Sequence, residues 1–316
     1  MRLAPAAALL LVLASGCENA LTAPGVGGSV QTTEALAILP ADADVVGMMD
    51  LAAARQSDAL AAVTGGAGLE MLSPAGSAEF DAFVRQTGFD PGRDLDRVYL
   101  AAPAMGRDAG SGRAAFVGYG RFSRERVERF VATQTEHPVT TADVAGVTLY
   151  TTTDGDGRTA GVAFPNDRMV VAGDEATVRQ MLTRIGTAGT VPTADVQDLL
   201  DRVAFPDGAW FVARHLDAGG QSPAGSAMRL AEGVAVSMDF GRDGVPVRAF
   251  VRTPQPADLA DLVRGSVSAA RVGAADEPAM MRALDDVSVA TVADGVTVDA
   301  FLPTALLAEM HADGQR

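Results

Sequence analysis

The sequence predicts an α+β fold built from two related halves, each a mostly antiparallel sheet with helices packed on one face. Three observations carry this. Short apolar segments alternate and are separated by hairpin-type turns. Between them run stretches with apolar residues at i, i+3, i+4 and i+7. Two stretches about 135 residues apart, as from Gly106 to Gly241, also resemble each other.

The folded part is expected from Glu34, with halves at residues 34–190 and 191–316. Val45-Val46-Gly47-Met48-Met49 has the length and apolarity of a strand. Ala78 to Thr87 carries Phe80, Phe83 and Val84 at helical spacing, and Gly88 ends it. Val98 to Ala102 and Ala114 to Tyr119 form a candidate strand pair. Ser123 suits the N-cap of a helix burying Val127, Phe130 and Val131. Strands at Val147 to Thr152 and Gly161 to Ala172 flank Asp154-Gly155-Asp156-Gly157, where Asp and Gly tolerate the positive φ of a tight turn.

Asp174 then caps a helix with Val178, Met181, Leu182 and Ile185 on one face, closed by Gly186. Thr193 or Asp195 opens another, burying Val196, Leu199, Leu200 and Val203, and Pro256 begins one using Leu259, Leu262, Val263 and Val267. Trp210 to Arg214, Val234 to Phe240 and Val245 to Arg252 read as strands, as does Val287 to Leu302 around the turn Asp294-Gly295.

The internal copy is specific in its order. Val98-Tyr99-Leu100, Gly106-Arg107-Asp108 and Arg113 to Val117 precede a helix. Val234-Ala235-Val236, Gly241-Arg242-Asp243 and Arg248 to Val251 precede another. Gly-containing strand segments follow, Val144 to Tyr150 and Val292 to Phe301. So long a period fits a duplicated domain rather than a solenoid.

Composition excludes several functions. All 25 basic residues are arginine. Without lysine there is no P-loop, no Schiff-base or pyridoxal-phosphate chemistry, no serine–lysine dyad and no protein-kinase signature. A net charge of −15 argues against nucleic acid as a partner and against adhesion to anionic headgroups. The acidic bias fits a salty habitat, where the surface is screened, and also a GC-rich genome.

The N-terminus addresses the protein. Met1-Arg2-Leu3 precedes an apolar run from Ala6 to Leu13, and Ala14-Ser15-Gly16 precede the lone cysteine, Cys17. The charged start, apolar run and small residues make a secretory signal over residues 1–16. With the cysteine directly after them they resemble the lipobox of bacterial lipoprotein precursors. That resemblance implies that Cys17 becomes the first mature residue and carries acyl chains such as palmitate, anchoring the protein to the cell envelope. Ordinary signal cleavage is the alternative. Residues 17–33, rich in Gly, Ser, Thr and Pro, read as a flexible tether. Glu18 stands where an Asp retains such lipoproteins at the inner membrane, which favours the outer membrane. The opening around Leu39-Pro40-Ala41-Asp42 is also similar to that of several uncharacterised exported bacterial proteins.

No catalytic constellation emerges. His137, His215 and His311 lack zinc-site spacing, and no cysteine remains as a ligand. Asp154 and Asp156 lack the further oxygen ligands of a calcium loop. His215 and Asp217 could pair with a distant serine, but no Gly-x-Ser-x-Gly elbow is present. Trp210 reads as part of a core strand. The expected function is therefore a membrane-anchored lipoprotein that binds or scaffolds, with no cofactor and no metal. A carrier of an apolar ligand, using Met48, Met49, Met280 and Met281, is one alternative. A hydrolase using His215 and Asp217 is the other.

Overall fold

The structure, a computed structural model, describes residues 29–59, 61, 78–103, 114–133, 139–153, 155, 157–187, 192–214 and 230–314. Cys17, residues 1–28, Gly106 to Arg113, His137, Asp154, Asp156, His215 and Asp217 lie outside them.

In chain order the strands are β1 (Val45–Asp50), β2 (Leu95–Ala102), β3 (Ala115–Gly120), β4 (Thr140–Val144), β5 (Val147–Thr153), β6 (Thr159–Asn166) and β7 (Met169–Asp174). They continue with β8 (Ala209–Arg214), β9 (Gly233–Met238), β10 (Gly244–Arg252), β11 (Ser288–Val292) and β12 (Gly295–Pro303). The helices are α1 (Val30–Ile38), α2 (Leu51–Arg55), α3 (Ala78–Thr87), α4 (Pro91–Asp94), α5 (Arg124–Ala132), α6 (Glu175–Arg184), α7 (Ala194–Leu200), α8 (Pro256–Gly273), α9 (Pro278–Asp285) and α10 (Thr304–Gly314).

All strands join one 12-stranded sheet, ordered β11-β12-β10-β9-β8-β1-β2-β3-β7-β6-β5-β4, with every pairing antiparallel. The α+β class holds, and the two half-sheets join through β1 and β8. From that seam β1-β2-β3 and β8-β9-β10 run outward in the same order. The third strand of each set is followed by a helix, α5 or α8.

The later part of the sequence copy pairs differently. Val144 to Tyr150 falls on β4 and β5 at one sheet edge, whereas β12 lies beside β10. The topological counterpart of β12 is β7, beside β3. An additional hairpin, β4–β5, displaces the correspondence.

Helices cover both faces rather than one. The central strands are apolar on both sides; β1 buries every residue but Met49. One face, here the inner face, is covered by α1, α6 and α7. Ile38, Met181, Leu182 and Leu199 pack there on Met48, Tyr99, Val117, Val171 and Val212. On the outer face, α3 and α5 cover the β5–β7 wing through Phe83, Val127 and Val131. The β10–β12 wing carries α8, α9 and α10.

The tether ends earlier than its composition suggests. Ser29 N-caps α1 by accepting the Thr32 N–H at 3.0 Å, so residues 30–33 are helical and Thr32 is buried. Polar contacts fix this helix to the sheet. Thr32 Oγ1 lies 2.9 Å from Tyr99 Oη, Arg97 Nη1 donates to Ser29 Oγ at 3.2 Å, and Tyr119 Oη donates to Glu34 Oε2 at 3.0 Å. Asp50 closes the network: Oδ1 caps α2 at Ala53 N, and Oδ2 accepts from Arg97 Nε at 2.8 Å.

Burial, with the Glu34 carboxylate beside it, pushes the Tyr119 hydroxyl far above the ordinary tyrosine range. Ionisation is thus easier in the unfolded chain, so stability should fall as pH rises above about 10. Alkaline unfolding followed by circular dichroism tests this. Tyr119→Phe should flatten the fall, and an unchanged slope would show that Tyr119 does not contribute.

Candidate functional site

Side chains alternate across a sheet, so register alone sorts residues between the faces. On the outer face one cross-strand row runs through eleven strands: Tyr150, Val162, Ala172, Phe116, Leu100, Gly47, Phe211, Val236, Ala249, Val298 and Val289. No member is charged.

The ends of this row are covered. Tyr150 and Val162 pack under α3 and α5, and Ala249, Val298 and Val289 under α8 and α9. Its middle is not. Phe116 is 43% exposed and Phe211 36%, with Met49 in the neighbouring row at 37%. The result is a shallow apolar trough across β3, β2, β1 and β8. Gly47 forms its floor: a Cβ there would lie 3.1 Å from the Trp210 carbonyl oxygen and 3.3 Å from Phe211 Cβ. One end of the trough is closed by α2, where Leu51 and Ala54 pack on Leu95, Val98 and Phe240.

The flanking rows are equally apolar. Val98, Met49 and Ala209 are paired on one side, and Ala102, Val45 and Ala213 on the other. Polar groups gather instead on the inner face of the β10–β12 wing. There Arg248 pairs with Asp299 and Arg252 with Asp198, while Arg202 pairs with Asp294 at 2.8 Å and lies 4.6 Å above the Phe250 ring. These pairs neutralise one another at a partly solvated surface and leave no cation aimed at a ligand.

The methionines singled out by sequence separate. Met48 is buried on the inner face, and Met280 and Met281 pack among the helices of the β10–β12 wing. Only Met49 reaches the trough. Trp210 is core, as its strand suggests, but its neighbour Phe211 is not. No local signal marks Phe116 and Phe211, since Gly118 and Gly120, and Ala209 and Ala213, share their faces and are buried. His311 lies on α10, and His215 with Asp217 falls outside the described residues. Among the described residues no group of three or more His, Cys, Asp and Glu could hold a metal, and no helix is long and apolar enough to cross a membrane.

No protein-family model matches the chain, and no curated protein does. Solved structures do. The crystal form III structure of TP0453 superposes with a TM-score of 0.52 at 11% identity, covering 88% of this chain and 97% of that one. Crystal form I of TP0453 gives 0.48 at 12% identity, covering 88% and 96%. At such identity the likeness of form III shows a shared fold.

Phe116 contributes little to folding if the trough is open in the free protein. Phe116→Gln should cost under about 1 kcal/mol, whereas Leu149→Ala in the inner core should cost about 2–5 kcal/mol. Urea unfolding of the two variants measures both. Equal costs would mean that Phe116 is part of the core.

Proposed function

We propose that this is an exported, lipid-anchored protein of the bacterial cell envelope. It binds an apolar partner at the centre of its sheet and catalyses no reaction. The observation that carries the binding role is the partial exposure of Phe116, Phe211 and Met49 together on one face at the middle of the sheet. Rings lined up on a rigid sheet cost hydration free energy unless something covers them. Cys17 and the apolar run before it support the anchor. Eleven residues lie between Cys17 and the helix cap Ser29, enough to hold the folded part up to about 40 Å from the membrane.

Two experiments test this. Cys17→Ala should move the protein from the membrane to the soluble fraction of fractionated cells; full membrane retention would contradict the anchor. An environment-sensitive apolar dye should bind the purified protein, and Phe116→Gln combined with Phe211→Gln should weaken binding at least about tenfold, equivalent to ~1.4 kcal/mol. Unchanged dye binding in a folded double variant would contradict the binding role.

A further inference from the structure

We propose that the ligand of the trough is one unbranched acyl chain, carried by a free single-chain amphiphile such as a fatty acid. This rests on the reading of the trough as a binding surface and narrows it to a chemical class.

Size argues first. Three side chains at 43%, 37% and 36% exposure, each with about 200 Å² to offer, present roughly 230 Å². A stable protein interface needs about 800 Å² on each partner. Even with the partly exposed Val98, Leu100, Ala102 and Val236 beside them, the described residues present less apolar surface than a protein partner needs, and suit the side of one hydrocarbon chain.

Chemistry argues next. From Val98 through Leu100 to Ala102, and likewise along β1 and β8, successive outer-face positions carry no polar side chain. The central strands β1, β2, β3 and β8 each lie between two paired neighbours, so their backbone groups are directed into the sheet. A peptide laid here would lose hydration at its backbone and gain no partner, a cost an alkyl chain does not carry.

Shape sets the length. Phe116 on β3 and Phe211 on β8 stand three interstrand spacings apart, or about 14 Å, which a zigzag of about a dozen carbons spans. Between the two rings the row runs over Leu100 and the buried Gly47, where Phe211 Cβ and Leu100 Cγ lie within 3.5 Å of the position a Cβ would take. The Cys17 acyl chains lie in the membrane in the reading above, so the occupant is a separate molecule.

The test uses the full exported chain carrying Cys17→Ser, so that no lipid of its own competes. The apolar dye is bound first, and saturated fatty acids of increasing length are titrated in. Displacement should strengthen by up to about fourfold per added methylene and level off near a dozen carbons. Phe116→Gln with Phe211→Gln should remove the length dependence.

Dye that binds in a Phe-dependent way but resists every fatty acid would overturn the acyl assignment and leave an apolar site standing. Dye that fails to bind, or binds the double variant equally, would overturn the site as well. A dimer seen by sedimentation and dissociated by the same two substitutions would assign the surface to a second copy instead.

Discussion

The structure depends on one antiparallel pairing, β1 with β8. It joins two half-sheets that are far apart in sequence and sets their phase relative to each other. In that register Gly47 opposes Phe211, and Met48 opposes Trp210. A slip of one residue would put Trp210 on the outer face and Phe211 into the inner core, reversing every residue of the second half-sheet. Because the phase is kept, a single apolar row crosses eleven strands.

Coverage of the two faces follows from that phase. The inner face is closed over the centre by α1 and α7, and over the first wing by α6. Among the described residues, helices close the outer face over the wings and, through α2, at one end of the central strands. The inner closure brings the start of the folded chain into the core. Ser29, Thr32 and Glu34 bond to side chains of β2 and β3, so the helix that follows the tether is fixed to the strands whose opposite face lines the trough. Tyr99 and Tyr119 meet edge-to-face at 5.9 Å on the inner side, while Leu100 and Phe116 pair on the outer side of the same strands. A rigid floor of this kind keeps the ring spacing of the trough fixed, which a loop-built site would not.

Much of the fold was legible where the signals are local. Val178, Met181 and Leu182 bury one stripe of α6, and Asp174 caps it as its position suggests. Asp294-Gly295 turns β11 into β12, and Val296, Val298, Ala300 and Leu302 share a buried face. Long-range choices were not legible. Nothing near Val45 or Trp210 shows that they lie on paired strands. Ser29 and Thr32 resembled tether because their partners, Arg97 and Tyr99, are more than sixty residues away. The trough was hidden for a related reason. Phe116 and Phe211 have the residue type and surroundings of core positions, and only the placement of helices on the outer face decides which rings remain uncovered.

Native mass spectrometry of the mature protein, extracted in its own membrane lipids, tests most directly whether the trough is filled in the cell. The expected spectrum shows Cys17 with its covalent acyl groups and one additional non-covalent mass, that of a single-chain amphiphile, which the Phe116→Gln/Phe211→Gln variant loses. A native spectrum with no bound small molecule, or with a bound mass that the double variant keeps, would contradict a binding role for the centre of the sheet.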